Sequence, residues 1–315
     1  MRSLPLSSFW RPSPRTQPAV AESRVAVSPL DVAALVGAPP PPVWIDAPGG
    51  YGIPVRRYGP GGAGRPVVML HGLESHSGWF VQSARCIAER GMPVHAFDRC
   101  GSGVSQAVPE LGARLDDLLA EVDAVVDRAL EGTPFHAVHL VGHCFGALLA
   151  LLYAGLHQPA RVARLALATP ALYTRTALGL GEKLRILSSA ISRHPTREPV
   201  PLAPEDFSEL DPFVDLVRRD PLALRSVPAL LLFEIWRARF RLPRAAEALR
   251  MPVFVGLAGQ DPICDNARNL RLLRRVTGSM DIVTYRRARH ILEFSGQRAA
   301  FLEDLAGWLH AEERR

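Results

Sequence analysis

The chain has 315 residues, 48% of them hydrophobic and 22% charged, with 25 Gly and 28 Pro. That composition excludes a disordered, collagen-like or disulfide-stapled chain and leaves a globular protein of one large domain or two. The formal charge is +6, yet Lys183 is the only lysine and the arginines are interspersed with acids. The clustered basic face that nucleic acid needs is missing, so no nucleic-acid partner is expected.

Residues 1–42 end in Pro39-Pro40-Pro41-Pro42 and read as a disordered or extended N-terminal tail. Prolines break any amphipathic targeting helix there, and no apolar segment suits secretion. Val43 to Asp46 and Ile53 to Tyr58 alternate as a pair of strands joined across Gly49-Gly50. From Pro66 to Leu70 the chain is continuously apolar, the mark of a strand buried on both faces. Such runs recur at Pro93 to Phe97, Ala137 to Val141, Leu165 to Ala168, Val253 to Leu257 and Ile282 to Tyr285. Helical patterns lie between most of them. Leu115 to Leu130 puts Leu118, Leu119, Val122, Val125, Val126 and Ala129 on one face, and Asp116, Asp117, Glu121 and Asp127 largely on the other.

This alternation predicts an α/β chain, a mostly parallel sheet flanked by helices and built from residues 43–172 and 251–315. It breaks over 173–250, where helical patterns occur without buried-strand runs, which predicts a helical lid inserted after the sixth strand. Phe233, Trp236 and Phe240 recur there at helical spacing and either pack the lid on the body or line a substrate site. No apolar run is long enough to span a membrane. Cys86, Cys100, Cys144 and Cys264 include no C-x-x-C pair, so neither a zinc site nor a disulfide framework is indicated. A reducing, cytoplasmic location is expected, with no metal and no organic cofactor.

Directly after the run Ala137 to Val141 stands Gly142-His143-Cys144-Phe145-Gly146, followed by the small apolar stretch Ala147 to Leu156. Strand, G-x-nucleophile-x-G and helix together form a nucleophile elbow. The glycines permit a turn tight enough to project the central side chain above the sheet, over the positive end of a helix. Cys144 stands where Ser is usual.

With these residues the sequence is similar to the α/β-hydrolases, and within that fold it resembles the monoacylglycerol lipase and lysophospholipase group. His71-Gly72-Leu73-Glu74-Ser75-His76-Ser77-Gly78-Trp79-Phe80 resembles that group's HGxxEHSxRY-type loop after the third strand. Asp98-Arg99-Cys100-Gly101-Ser102-Gly103-Val104-Ser105 resembles its D-x-R-G-x-G-x-S turn, with Cys100 an odd residue there. Gly259 to Asp265 and Ala288-Arg289-His290 resemble the segments that hold its acid and histidine. The match runs from about residue 50 to the C-terminus and is weak across the lid.

The resemblance implies a triad of Cys144, Asp261 and His290. Chain order agrees, since the three follow the sequence nucleophile, acid, base, each just after a predicted strand and so at one sheet edge. In that triad His290 moves the thiol proton and Asp261 fixes the imidazole tautomer. Asp265 is the rival acid. The oxyanion donors are then the backbone N–H groups of Leu73 and Phe145, while His71 and His143 read as packed, neutral rings.

A histidine-paired thiol forms a thioester that water, an alcohol or an amine can resolve. Cysteine elbows occur in dienelactone hydrolases and polyhydroxyalkanoate synthases, one hydrolytic and one transferring. The expected function is a cysteine-dependent acyl hydrolase acting on a small-molecule carboxylic ester or thioester, free or carrier-bound, with an apolar acyl group suited to a Leu-, Phe- and Trp-rich lid. The alternatives are an acyltransferase or cyclising acyl-release enzyme of the same fold, a lyase, or a non-catalytic ligand-binding relative.

Overall fold

The computed structural model describes residues 35–105, 114–175, 179, 181, 184–188 and 196–311. Most of the tail, residues 1–34, lies outside these. Its described end is held on the body: Val36 is buried, Gln82 donates to the Leu35 carbonyl at 3.1 Å, and Arg56 donates to that of Pro40 at 2.7 Å.

Along the chain come β1 (Val43–Asp46), β2 (Gly52–Tyr58), β3 (Val67–Leu70), β4 (Val94–Phe97), β5 (Val138–His143), β6 (Val162–Ala168), β7 (Arg197–Pro199), β8 (Ser226–Pro228), β9 (Val253–Ala258) and β10 (Met280–Tyr285). The main sheet has eight strands in the order β1-β2-β4-β3-β5-β6-β9-β10. β1, β2 and β4 pair antiparallel, and every pairing from β4 to β10 is parallel. The expected parallel sheet is therefore the observed one. β10 is an edge strand, which leaves Ile282 exposed where the apolar run had suggested burial on both faces.

The helices are α1 (Val81–Ala88), α2 (Leu115–Leu130), α3 (Phe145–Leu152), α4 (Pro204–Phe207), α5 (Asp211–Arg219), α6 (Ala229–Ala238), α7 (Leu242–Ala248), α8 (Asn266–Leu273) and α9 (Arg298–His310). Alternate residues of β3 enter two separate cores. Val68 and Leu70 pack with α2 and α3, while Val67 and Met69 pack with α1 and α9. This is the period-two geometry of a strand sandwiched between helical layers. The chain winds from β3 to β4 on one side and crosses to β5 on the other. The carboxyl ends of β3 and β5 thus flank the point where strand order reverses, the usual ligand crevice of such sheets.

Two further expectations need correction. The insertion between β6 and β9 is not wholly helical, because β7 and β8 pair antiparallel within it, two strands too short and proline-bounded to show as buried runs. Its last helix, α7, is seated on the body. Gly155 approaches the Ala245 carbonyl so closely that a Cβ there would lie 2.3 Å from the oxygen. Glu121, expected on the polar face of α2, is fully buried, accepting from the Tyr51 hydroxyl and from the Cys100 N–H at 3.1 Å. Among the described residues no helix is long and apolar enough to cross a membrane.

Candidate active site

The turn from β5 into α3 is as tight as the motif requires. A Cβ on Gly142 would lie 2.5 Å from the Gly146 carbonyl oxygen, and one on Gly146 would lie 2.4 Å from that of Leu70. Between them Cys144 takes φ 54° and ψ −114°, a conformation that costs a non-glycine residue on the order of 1–3 kcal/mol. Neighbouring backbone holds it there: Cys144 N–H donates to Ala168 at 3.0 Å, and Ala171 N–H donates to the Cys144 carbonyl at 3.1 Å. The side chain is mostly covered, with 7% of the residue exposed.

The loop after β3 closes over this turn. Gly72 comes so near that a Cβ would stand 3.1 Å from the Cys144 Cβ. His71 Nε2 faces the Arg99 backbone N–H at 3.2 Å, and Nδ1 faces the Gly72 carbonyl at 2.8 Å. A backbone N–H can only donate, so Nε2 accepts and the ring proton sits on Nδ1. Burial pushes this imidazole down to about 3, which keeps it neutral. The Gly72 carbonyl and the Leu73 N–H belong to one planar peptide, so the His71 hydrogen bond fixes the direction of that N–H. Phe145 opens α3, and its N–H is one of the donors that a helix start leaves without an intrahelical acceptor. His143 is also buried and pushed down to about 3, its ring stacked on Phe80 with centroids 4.0 Å apart.

Asp261 and His290 are in contact: Nδ1 of the buried ring lies 3.1 Å and 3.0 Å from the two carboxylate oxygens. Asp261 Oδ1 also accepts the N–H groups of Ile263 and Cys264, each at 2.9 Å. Burial opposes charge on both groups. For Asp261 the imidazole and the two backbone donors outweigh it and hold the carboxyl below its ordinary range. For His290 the Asp261 carboxylate, with Cys144 and Cys264, outweighs it and lifts the ring well above its ordinary value. His290 Nε2 is buried and makes no hydrogen bond, to Cys144 or to any other described group.

Asp265, the rival acid, is engaged elsewhere, capping α8 by accepting the Arg268 N–H at 3.0 Å. The sequence reading missed Cys264, whose sulfur lies 3.9 Å from His290 Nδ1 and 3.4 Å from the Thr169 carbonyl; burial pushes this thiol up to about 12. Asp261, Cys264 and His290 together offer three metal-ligand atoms within 4.8 Å of one another. The imidazole nitrogen among them is already bound to the carboxylate, and the thiol holds its proton.

The His290 loop is clasped by the insertion. Ile291 N–H donates to Phe207 at 2.9 Å, Ser208 Oγ donates to Phe294 at 2.6 Å, and Glu209 accepts the Arg289 N–H at 3.1 Å. Phe233, Trp236 and Phe240 are not brought to this site. They line a surface cleft of about 470 Å³ with Leu115, Arg237 and Arg241, and none of Cys144, Asp261 and His290 takes part. Periodicity revealed the stripe but not which way it faces. Arg99 was missed as well. It is 3% exposed, it donates from Nη2 to the Leu73 carbonyl at 2.5 Å, and its guanidinium lies 5.3 Å from the Phe145 ring centre. The odd residue in the Asp98 turn was the available hint, because the arginine stands one place earlier than the D-x-R-G pattern has it.

The profile of the serine aminopeptidase S33 family matches residues 63–295. Human monoglyceride lipase is 26% identical over 265 residues, covering 80% of this chain and 83% of that protein. A shorter stretch of 87 residues is 37% identical to an uncharacterized abhydrolase domain-containing protein of Dictyostelium discoideum, covering 28% of this chain but only 9% of that protein. The crystal structure of Paleococcus ferrophilus monoacylglycerol lipase aligns with a TM-score of 0.73 at 20% identity, over 82% of this chain and 98% of that one. A soluble variant of Saccharomyces cerevisiae monoglyceride lipase, solved with a substrate analogue, aligns with a TM-score of 0.73 at 14% identity, over 87% and 96%. The fold is that of the α/β-hydrolases.

Proposed function

The chain belongs to the serine aminopeptidase S33 family, as a hydrolase of the esterase and lipase type, and we propose that it cleaves small-molecule carboxylic esters or thioesters through an acyl-enzyme on Cys144. The observation that carries this reading is the elbow itself. A thiol at φ 54°, between two glycines that no larger residue could replace, stands at the sheet edge that also carries the Asp261–His290 pair.

In the proposed mechanism the Cys144 thiolate attacks the carbonyl carbon and a C–S bond forms. The oxyanion is met by the Leu73 and Phe145 N–H groups. His290, protonated beside Asp261, gives its proton from Nε2 to the leaving oxygen or sulfur as that bond breaks. Water then gives a proton to His290 and attacks the thioester, and the C–S bond breaks to restore the thiolate. Asp261 fixes the ring with Nδ1–H inward and stabilises its charge. The insertion, residues 173–250, acts as a lid whose α4 to α5 segment also carries the base loop.

Ester turnover in Cys144→Ala tests the reading. The variant should lose on the order of 10³-fold or more in kcat/KM on p-nitrophenyl esters while remaining folded. Activity equal to the parent would overturn it.

A further inference from the structure

Arg99 is buried, and its charge is left incompletely matched. Among the described residues its one side-chain hydrogen bond goes from Nη2 to the Leu73 carbonyl, Nε is buried with no partner, and no carboxylate lies within 4.0 Å of the guanidinium. The strongest acidic influence on it is Glu121, a carboxyl that burial pushes up to about 7 and whose own hydrogen bonds go to Tyr51 and Cys100. An unpaired buried cation is costly, and a planar guanidinium with free N–H groups is built for a planar anion.

Its position says where that anion would come from. Arg99 touches both residues whose N–H groups form the oxyanion hole, through the Leu73 carbonyl and the Phe145 ring. Along the sheet edge the order is Arg99 after β4, the Gly72 loop after β3, Cys144 after β5, Asp261 after β9 and His290 after β10. His290 and Arg99 therefore stand on opposite sides of the nucleophile. The leaving group must lie on the side of the base that protonates it, so the acyl chain extends toward Arg99. Two strand spacings separate Arg99 from Cys144, about 10 Å between backbones, and the arginine side chain shortens that to the reach of a few carbon atoms.

We propose that Arg99 is a specificity-determining residue that binds a carboxylate on the acyl group, so that the substrate is an ester or thioester of a short dicarboxylic acid. This rests on the reading of Cys144 as nucleophile and replaces the wholly apolar acyl group that the composition of the insertion suggested.

The test is a matched pair of substrates, p-nitrophenyl glutarate with its free carboxylate and the same ester capped as the methyl ester. The parent protein should favour the free acid by roughly 10²-fold in kcat/KM, and Arg99→Met should abolish that preference. Arg99→Lys, which keeps the charge but not the fork, should retain part of it. An uncapped substrate that is no better than the capped one, or a preference that survives Arg99→Met, would overturn the proposal. So would an Arg99→Met loss equal on both substrates, which would leave the guanidinium only a prop for the Leu73 carbonyl. Calorimetric titration of Cys144→Ala with glutarate separates this from the chemistry. Binding that Arg99→Met abolishes supports the subsite even if Cys144 proves not to be the nucleophile, and no binding counts against the subsite alone.

Discussion

His290 Nδ1 is held by both carboxylate oxygens of Asp261, at 3.1 Å and 3.0 Å, with neither side chain open to solvent. Asp261→Asn should therefore lower kcat/KM by about 10²-fold or more, by misplacing the ring proton, whereas Asp265→Asn should leave turnover near that of the parent and change only the cap of α8. Parallel kinetics on the two variants check this. The Asp261 carboxyl is depressed in the folded state, so its contribution to stability is present above the unfolded carboxylate range and fades as pH falls through the folded value. Asp261→Asn should thus cost more thermal stability at about pH 6 than at about pH 3.

His71 makes a different kind of prediction, because its ring holds the Gly72–Leu73 peptide, whose N–H is a proposed oxyanion donor. His71→Phe keeps a packed ring but removes the Nδ1–H donor, and should lower kcat by roughly tenfold or more with little change in KM. Since burial keeps the imidazole neutral above about 3, that loss should be the same from mildly acidic to mildly basic pH. A loss that grows or shrinks with pH across that range would contradict the neutral assignment.

Glu293 sits two residues beyond Ile291 in the His290 loop, buried and facing Ser83 and Gln82, and neither carboxyl oxygen makes a well-formed hydrogen bond among the described residues. Burial pushes it up to about 8, so the folded state holds its proton where the unfolded chain has already lost it. Stability should therefore fall as pH rises from the ordinary carboxyl range to about 8. Glu293→Gln should flatten that decline and raise the melting temperature in mildly basic buffer. Melting curves over a pH series check it, and a variant with the parent's slope would show that Glu293 is not the source.

The clasp on the His290 loop gives a fourth expectation. Glu209 accepts from the Arg289 N–H at 3.1 Å, the Ser295 hydroxyl at 2.5 Å and the Gly296 N–H at 2.9 Å. Glu209→Ala removes three charge-assisted hydrogen bonds and should cost about 1–3 kcal/mol of stability, with a fall in kcat that grows on warming as the loop loosens. Denaturant melts and a temperature series of kcat measure the two effects.

The sheet was legible because strands covered on both faces leave continuous apolar runs, and the elbow because Gly142 and Gly146 are dictated by backbone approach. What stayed hidden depends on partners distant in sequence. Glu121 has the spacing of a solvated helix face, yet Tyr51 and Cys100 reach it across the fold and make its burial tolerable. The Phe233, Trp236 and Phe240 stripe has the spacing of a packing face, yet Trp236 on α6 is 49% exposed and Phe240, just beyond it, 74%. Arg99 and Cys264 carried no periodic signal, since each matters only through what another loop brings beside it.

In the proposed mechanism the acyl group is carried on Cys144. Intact-mass analysis of the protein mixed rapidly with an activated ester tests it most directly, followed by proteolysis to place the adduct. A single acyl adduct should map to Cys144, decay at the rate of turnover and be absent in Cys144→Ala. Steady turnover with no adduct on Cys144, or an adduct that forms equally in Cys144→Ala, would contradict it.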